Sequence, residues 1–267
     1  MKKNLYLPAI FTCLASIFSL SAMAQAGVTA SPSRLYFNSS ANGSKSQKIT
    51  ITNPSEKPLE IGVSVSDWDY DSVGNNRIYT AGKLRNSAAS SIKVLPGSYF
   101  TLKPNETKEV TIQFKPGTAK QTYQTGMIFF TQLNPGPAQK SNGATIKLTV
   151  RIGVKVYYTP KASETVAVVD IQNLHDRITD KGKNLELALV NKSDIWTNGK
   201  CKWELLSTSS GNKTSLPEQE FYTLPGDRRV LIMPVPADLP KGKYTATAVI
   251  TYGKNKDVKV AELEFDQ

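Results

Sequence analysis

Histidine is almost missing from this chain: His175 is the one copy in 267 residues. Triads that use a histidine base, His-rich zinc sites and facial triads have little to be built from. Neither common type of Gly-rich phosphate loop is present. Asp67, Asp69 and Asp71 alternate as in a calcium loop, but Ser72 stands at the sixth position, which needs glycine, and Ile78 at the twelfth, which needs glutamate. They read instead as a solvated acidic turn. With no paired carboxylates in a recognisable setting, the expectation is a protein that is not an enzyme and uses no metal or cofactor.

Long apolar runs are also scarce. One exists, Leu5 to Leu20, preceded by Lys2 and Lys3 and followed by Ala22-Met23-Ala24. That is the tripartite pattern of a secretory signal peptide, cleaved after Ala24. No other window approaches the roughly 18 to 20 apolar residues of a membrane span. Cysteine is as rare, with Cys13 and Cys201 as the two copies. Cys13 sits inside the apolar run behind Ile10-Phe11-Thr12, without the small residue a lipoprotein site requires. Cleavage removes it and leaves Cys201 unpaired, so no internal disulfide can form even in an oxidising compartment. Cys201 is expected to serve as a small core hydrophobe.

What is present is charge and alternation. Cleavage takes away Lys2 and Lys3 and leaves 31 of the 33 basic residues against 22 acidic ones, about +9. The lysines are scattered without a basic run, which argues against nucleic acid and for a solvated surface. Apolar residues recur with period two at Ile49 and Ile51, at Leu59, Ile61, Val63 and Val65, and at Val110, Ile112 and Phe114. The longest row is Ile146, Leu148, Val150, Ile152, Val154, Val156, which predicts one strand from Ala144 to Tyr158. Pro, Gly, Asn and Ser clusters divide these runs, the signature of an all-β sandwich.

Three landmarks recur in order and predict two immunoglobulin-like sandwiches. A strand closes on Asn53-Pro-Ser55 and again on Asn191-Lys-Ser193. A Leu-Pro turn, Leu102-Lys-Pro104 or Leu224-Pro225-Gly226, leads into an apolar strand. Tyr123 and Tyr244 open the next strand, where such a tyrosine bonds back to its own chain. The expected division is a signal at 1–24, a first sandwich at 25–160 and a second at 161–267, angled about a cleft near Pro160.

At this point the chain resembles the PapD-like periplasmic chaperones of pilus and fimbrial assembly. The likeness is strongest over residues 27–160: Pro32-Ser33-Arg34-Leu35-Tyr36-Phe37 is similar to the family's first strand, Leu102-Lys-Pro104 to its turn, and Lys155-Val156-Tyr157-Tyr158-Thr159-Pro160 to the end of its last N-terminal strand. The resemblance implies a periplasmic chaperone for pilus-type subunits, acting with an outer-membrane usher. Arg34 and Lys155 would anchor the subunit's C-terminal carboxylate in the cleft. Ile146, Leu148, Val150 and Ile152 would be donated to complete the subunit's sandwich. There are departures. Thr159 stands where the family often has arginine, Tyr123 and Gln124 where an acidic residue is expected, and residues 161–267 match only as a sandwich. An adhesion module or a scaffold of a secretion machine would share this fold. Those readings differ in whether Ile146, Leu148 and Val150 are exposed and whether Arg34 and Lys155 face one cleft.

Overall fold

The computed structural model describes residues 27–39, 45–116, 123–135, 139–141, 144–146, 148–160 and 166–267; the proposed signal lies outside them. The first strands are β1 (Thr29–Ser31), β2 (Arg34–Asn38), β3 (Ser46–Thr52), β4 (Leu59–Tyr70), β5 (Asn76–Tyr79), β6 (Ile92–Leu95), β7 (Tyr99–Leu102) and β8 (Thr107–Phe114). Next come β9 (Gln124–Gln132), β10 (Gln139–Ser141), β11 (Ala144–Ile146) and β12 (Arg151–Thr159). The remainder is β13 (Val169–Thr179), β14 (Gly182–Asn191), β15 (Thr197–Ser207), β16 (Lys213–Thr223), β17 (Arg228–Pro234), β18 (Lys243–Tyr252) and β19 (Asp257–Asp266). Among the described residues no helix is long and apolar enough to cross a membrane.

The chain is all-β, as its period-two patterning requires. Strands β1-β3-β8-β6 form one sheet and β2-β12-β9-β4-β5 the other, with β7 added to β4. Their facing sides enclose a core that includes Leu35, Ile49, Ile51, Ile112, Phe130 and Val156. The following strands form the sheets β13-β14-β17 and β16-β15-β18-β19 around Leu187, Trp203, Leu205, Phe221 and Ile250. Among the described residues no strand is shared between the two pairs of sheets. Cys201 is a free thiol in that second core, and burial pushes its pKa up to about 12.

The strand expected over Ala144–Tyr158 is not continuous. Strand β11 pairs with β10 as a separate hairpin, residues 148–150 are irregular, and β12 begins at Arg151. The cause lies in β9. Its last bond to the region runs from Gln132 N–H to the Val150 carbonyl, 2.9 Å. Leu133 N–H then turns to the Glu60 carbonyl, while Asn134 accepts from Glu60 N–H and donates to the Pro58 carbonyl. Among the described residues β9 offers no edge beyond that bend, and β11 closes on β10 instead.

The three repeated landmarks take on geometry. Asn53 Oδ1 accepts from Ser55 N–H and Oγ–H, and its amide donates to the Lys57 and Lys103 carbonyls. Asn191 repeats the pattern with Ser193 and Ile195. The Leu-Pro match, however, slips by one residue. Lys103-Pro104-Asn105-Glu106 is closed by Glu106 N–H on the Lys103 carbonyl, and Leu224-Pro225-Gly226-Asp227 by Asp227 N–H on the Leu224 carbonyl. Asn105 and Gly226 both have positive φ, the conformation a type II turn requires at its third residue. Leu224 is thus the counterpart of Lys103, not of Leu102. The tyrosines differ too: Tyr244 donates back to the Pro240 carbonyl at 2.8 Å, whereas Tyr123 reaches Pro225 of the second sandwich at 3.5 Å.

Candidate anion-binding cleft

Strands β2 and β12 run parallel with Arg34 opposite Lys155, Tyr36 opposite Tyr157 and Asn38 opposite Thr159. Because side chains alternate across a strand, this register fixes two faces. Leu35, Phe37, Val154, Val156 and Tyr158 enter the first core. Arg34, Tyr36, Lys155 and Tyr157 stand on the other face, toward the second sandwich. Beside them lie Trp68 and Tyr70 of β4 and Met127 and Phe129 of β9, joined by Leu224, Trp196 and Tyr222 from across the junction. Gly153 makes room for this layer, since a Cβ there would lie 2.7 Å from Met127 Sδ and 3.0 Å from Phe129 Cε1.

The two cations named from the sequence therefore meet on neighbouring strands. Lys155 Nζ donates to Tyr70 Oη at 3.0 Å and sits 4.4 Å from the ring centres of both Trp68 and Tyr70. The Arg34 guanidinium lies 4.4 Å from the centre of the Tyr222 ring, and its Nε is buried without a hydrogen-bond partner. Cation–π contacts of this kind contribute about 0.5–2 kcal/mol. Burial, followed by repulsion from Arg34 and Arg229, lowers the Lys155 pKa to about 8. Among the described residues no carboxylate comes within ion-pair distance of Arg34 or Lys155. The neighbouring phenols cannot supply the missing charge, because burial raises the pKa of Tyr36, Tyr70 and Tyr157 alike. The arrangement is a positive, aromatic-walled site suited to an anion.

The acidic residues nearby are occupied. Asp71 Oδ1 accepts from Val73, Gly74 and Asn75 N–H, capping the β4–β5 turn. Asp69 holds Arg77 in a two-pronged ion pair. Asp67 accepts from Leu84 N–H and the Ser87 hydroxyl. Stacking of Tyr36 on Trp196, centroids 4.6 Å apart, borders a separate cleft of about 630 Å³ that also touches Asn38, Thr159, Ile195 and Asn198 and is lined by neither Arg34 nor Lys155.

The expected donor row is split. Leu148 is 71% exposed, while Val150 and Ile152 are half-buried and pack against the first core. Ile146 belongs to β11, and its side chain lies outside the described residues. On its β2 side, β12 is paired only from Lys155 onward, starting with Lys155 N–H to the Ser33 carbonyl at 3.0 Å. Among the described residues no strand pairs with that edge over Arg151–Val154. Sequence reasoning missed Trp68, Tyr70, Tyr222 and Arg229. Aromatic residues flanked by polar ones in β4 were the one available signal for the first two.

No family model and no curated protein sequence matches the chain. Solved structures do show similar architecture. One is the CsuC–CsuE chaperone–tip adhesion subunit complex of Acinetobacter baumannii: 13% identity, TM-score 0.49, covering 90% of this chain and 98% of that one. Another is the Salmonella enterica SafA pilin in complex with the SafB chaperone, at 15% identity and TM-score 0.45, covering 90% and 96%. The Escherichia coli chaperone DraB matches at 14% identity and TM-score 0.44, covering 90% and 97%. Likeness at this distance says nothing of what the present chain binds, which has to be read from the cleft.

Proposed function

We propose that the protein is a periplasmic chaperone that caps pilus-type subunits. It lends them the free edge of β12 and anchors their C-terminal carboxylate between Arg34 and Lys155. One observation carries the reading: among the described residues, two register-paired cations without a carboxylate partner stand where the outer edge of β12 becomes unpaired. A subunit lacking a strand exposes two unpaired backbone edges and an apolar groove, a state prone to aggregation. An added strand satisfies the backbone, and alternate side chains enter the groove. Burying each aliphatic side chain contributes about 1.5–3 kcal/mol, and a carboxylate held by shielded cations fixes the register.

The packing of Val150 and Ile152 against the first core favours a second reading, a scaffold that keeps its last strand for itself. Co-expression with a strand-deficient pilus-type subunit separates the two. Under the chaperone reading, Arg34→Ala and Lys155→Ala leave the protein folded and lose about 30- to 5,000-fold in affinity, the equivalent of roughly 2–5 kcal/mol for one partner of a shielded pair. Leu148→Asp removes protection by placing a charge where the groove takes an aliphatic side chain. If folded variants still protect the subunit from proteolysis, the carboxylate-anchor mechanism is wrong; if the wild-type protein gives no protection, the scaffold reading replaces the chaperone one. Binding is also expected to weaken as pH rises through about 8, because Lys155 is charged below that value and neutral above it.

A further inference from the structure

Among the described residues Arg229 is the most anomalous charge. It lies on β17 of the second sandwich and is 8% exposed, yet its Nε and Nη1 have no hydrogen-bond partner. The guanidinium presses on the β4–β5 turn of the first sandwich: a Cβ on Gly74 would fall 1.6 Å from Nη2. Val230 N–H, donating to the Ser72 carbonyl at 2.7 Å, holds β17 to the same turn. The Cζ of Arg229 lies 5.5 Å from the centre of the Tyr70 ring, whose hydroxyl accepts from Lys155. Among the described residues no carboxylate reaches ion-pair distance. Asp71 is used by the turn amides, and Asp227 accepts from Leu224 N–H. A buried arginine with open N–H groups costs free energy unless something accepts from them.

We propose that Arg229 is the third arm of the anion site. Arg34, Lys155 and Arg229 would together receive one peptide C-terminal carboxylate, so that the bound anion bridges both sandwiches. A carboxylate offers about four acceptor positions, enough for Lys155 and the orphaned nitrogens of both arginines. The inference rests on the carboxylate-anchor reading above and adds a consequence: occupancy of the cleft ties β17 to β12.

The test uses acetate as the bare anion and acetamide as its neutral isostere. Each is titrated into the whole protein while the Trp68 indole N–H resonance is followed; that group donates to the Gly126 carbonyl, and Lys155 lies over its ring. Acetate should shift the resonance saturably and acetamide should not. Arg229→Gln should weaken acetate by about tenfold or more, roughly 1.4 kcal/mol or more. If acetate leaves the wild-type cleft unmoved, the carboxylate-anchor reading fails and takes this inference with it. If Lys155→Ala abolishes acetate binding while Arg229→Gln binds as wild type, only the inference fails, and Arg229 is a strut between sandwiches. Should Arg229→Gln not fold, Gly74→Ala displaces the guanidinium and keeps its charge. Wild-type acetate affinity in folded Gly74→Ala would overturn the proposal; a comparable loss would support it.

Discussion

The turn at Asn53 and the turn at Asn191 share most of their hydrogen bonds and differ in their surroundings. In each, a buried asparagine holds a following serine and carbonyl with its side chain, and its backbone N–H donates to the carbonyl of the last residue of a Pro-led turn, Glu106 or Asp227. In each, an acidic side chain accepts from the first residue of that turn: Glu106 from Lys103 N–H at 2.6 Å, Asp227 from Leu224 N–H at 2.7 Å. The first turn faces solvent, with Lys103 exposed. The second is pressed into the junction, where Leu224 is buried among Trp68, Tyr70 and Met127. One local motif thus serves as a plain corner in one sandwich and as the docking element in the other. The difference comes from a few side chains, Leu for Lys and Asp for Glu, with Arg229 two residues on.

Exchanging those side chains should break the comparison. The largest effect is expected from Leu224→Lys, which makes the second turn resemble the first. It removes a buried leucine, worth about 2–5 kcal/mol, and brings a charge into an aromatic layer. The sandwiches should come apart while both stay folded, seen as a longer maximum dimension in small-angle scattering. The reverse change, Lys103→Leu, should alter stability by no more than about 0.5 kcal/mol.

Asn53→Ala and Asn191→Ala come next, at roughly 2–3 kcal/mol each in denaturant unfolding, because each strands several buried backbone groups. The second should also disturb Trp196 fluorescence, since its amide holds the Ile195 carbonyl.

Asp227 sharpens the comparison through pH. Burial, with Asp69 adding repulsion, pushes its pKa up to about 6. A carboxyl raised in the folded state binds more protons there than when unfolded, so stability should fall as pH rises from about 4 through 6. Asp227→Asn keeps an acceptor for Leu224 N–H and should flatten that slope, raising the melting temperature at pH 7 more than at pH 4. The smallest effect concerns the two tyrosines. Tyr244→Phe should cost about 1 kcal/mol for its well-formed bond, and Tyr123→Phe much less, as its contact is at the limit of hydrogen-bond length.

Alternation was enough to read the sheets, because each face of a strand meets either core or solvent. The Arg34–Lys155 meeting was legible through resemblance, and the parallel register of β2 on β12 is its physical basis. Three things were not legible. The break before Arg151 depends on where β9 bends, a property of Leu133 and Asn134 rather than of the alternating row. The slip between Leu102 and Leu224 hid behind a shared Leu-Pro pairing, which only the turn's hydrogen bonds resolve. Arg228 and Arg229 look equivalent in the chain, yet one is exposed and the other buried at the junction.

If the outer edge of β12 is kept open for a partner strand, binding of a subunit should close it. Amide hydrogen exchange over Leu148–Val154, compared between the free protein and its complex with a strand-deficient pilus-type subunit, tests it most directly. The account predicts that alternate amides along this edge exchange rapidly in the free protein and become protected in the complex, with the protection lost in Lys155→Ala. Equal exchange in the free and bound states, in a complex that still forms, would contradict it.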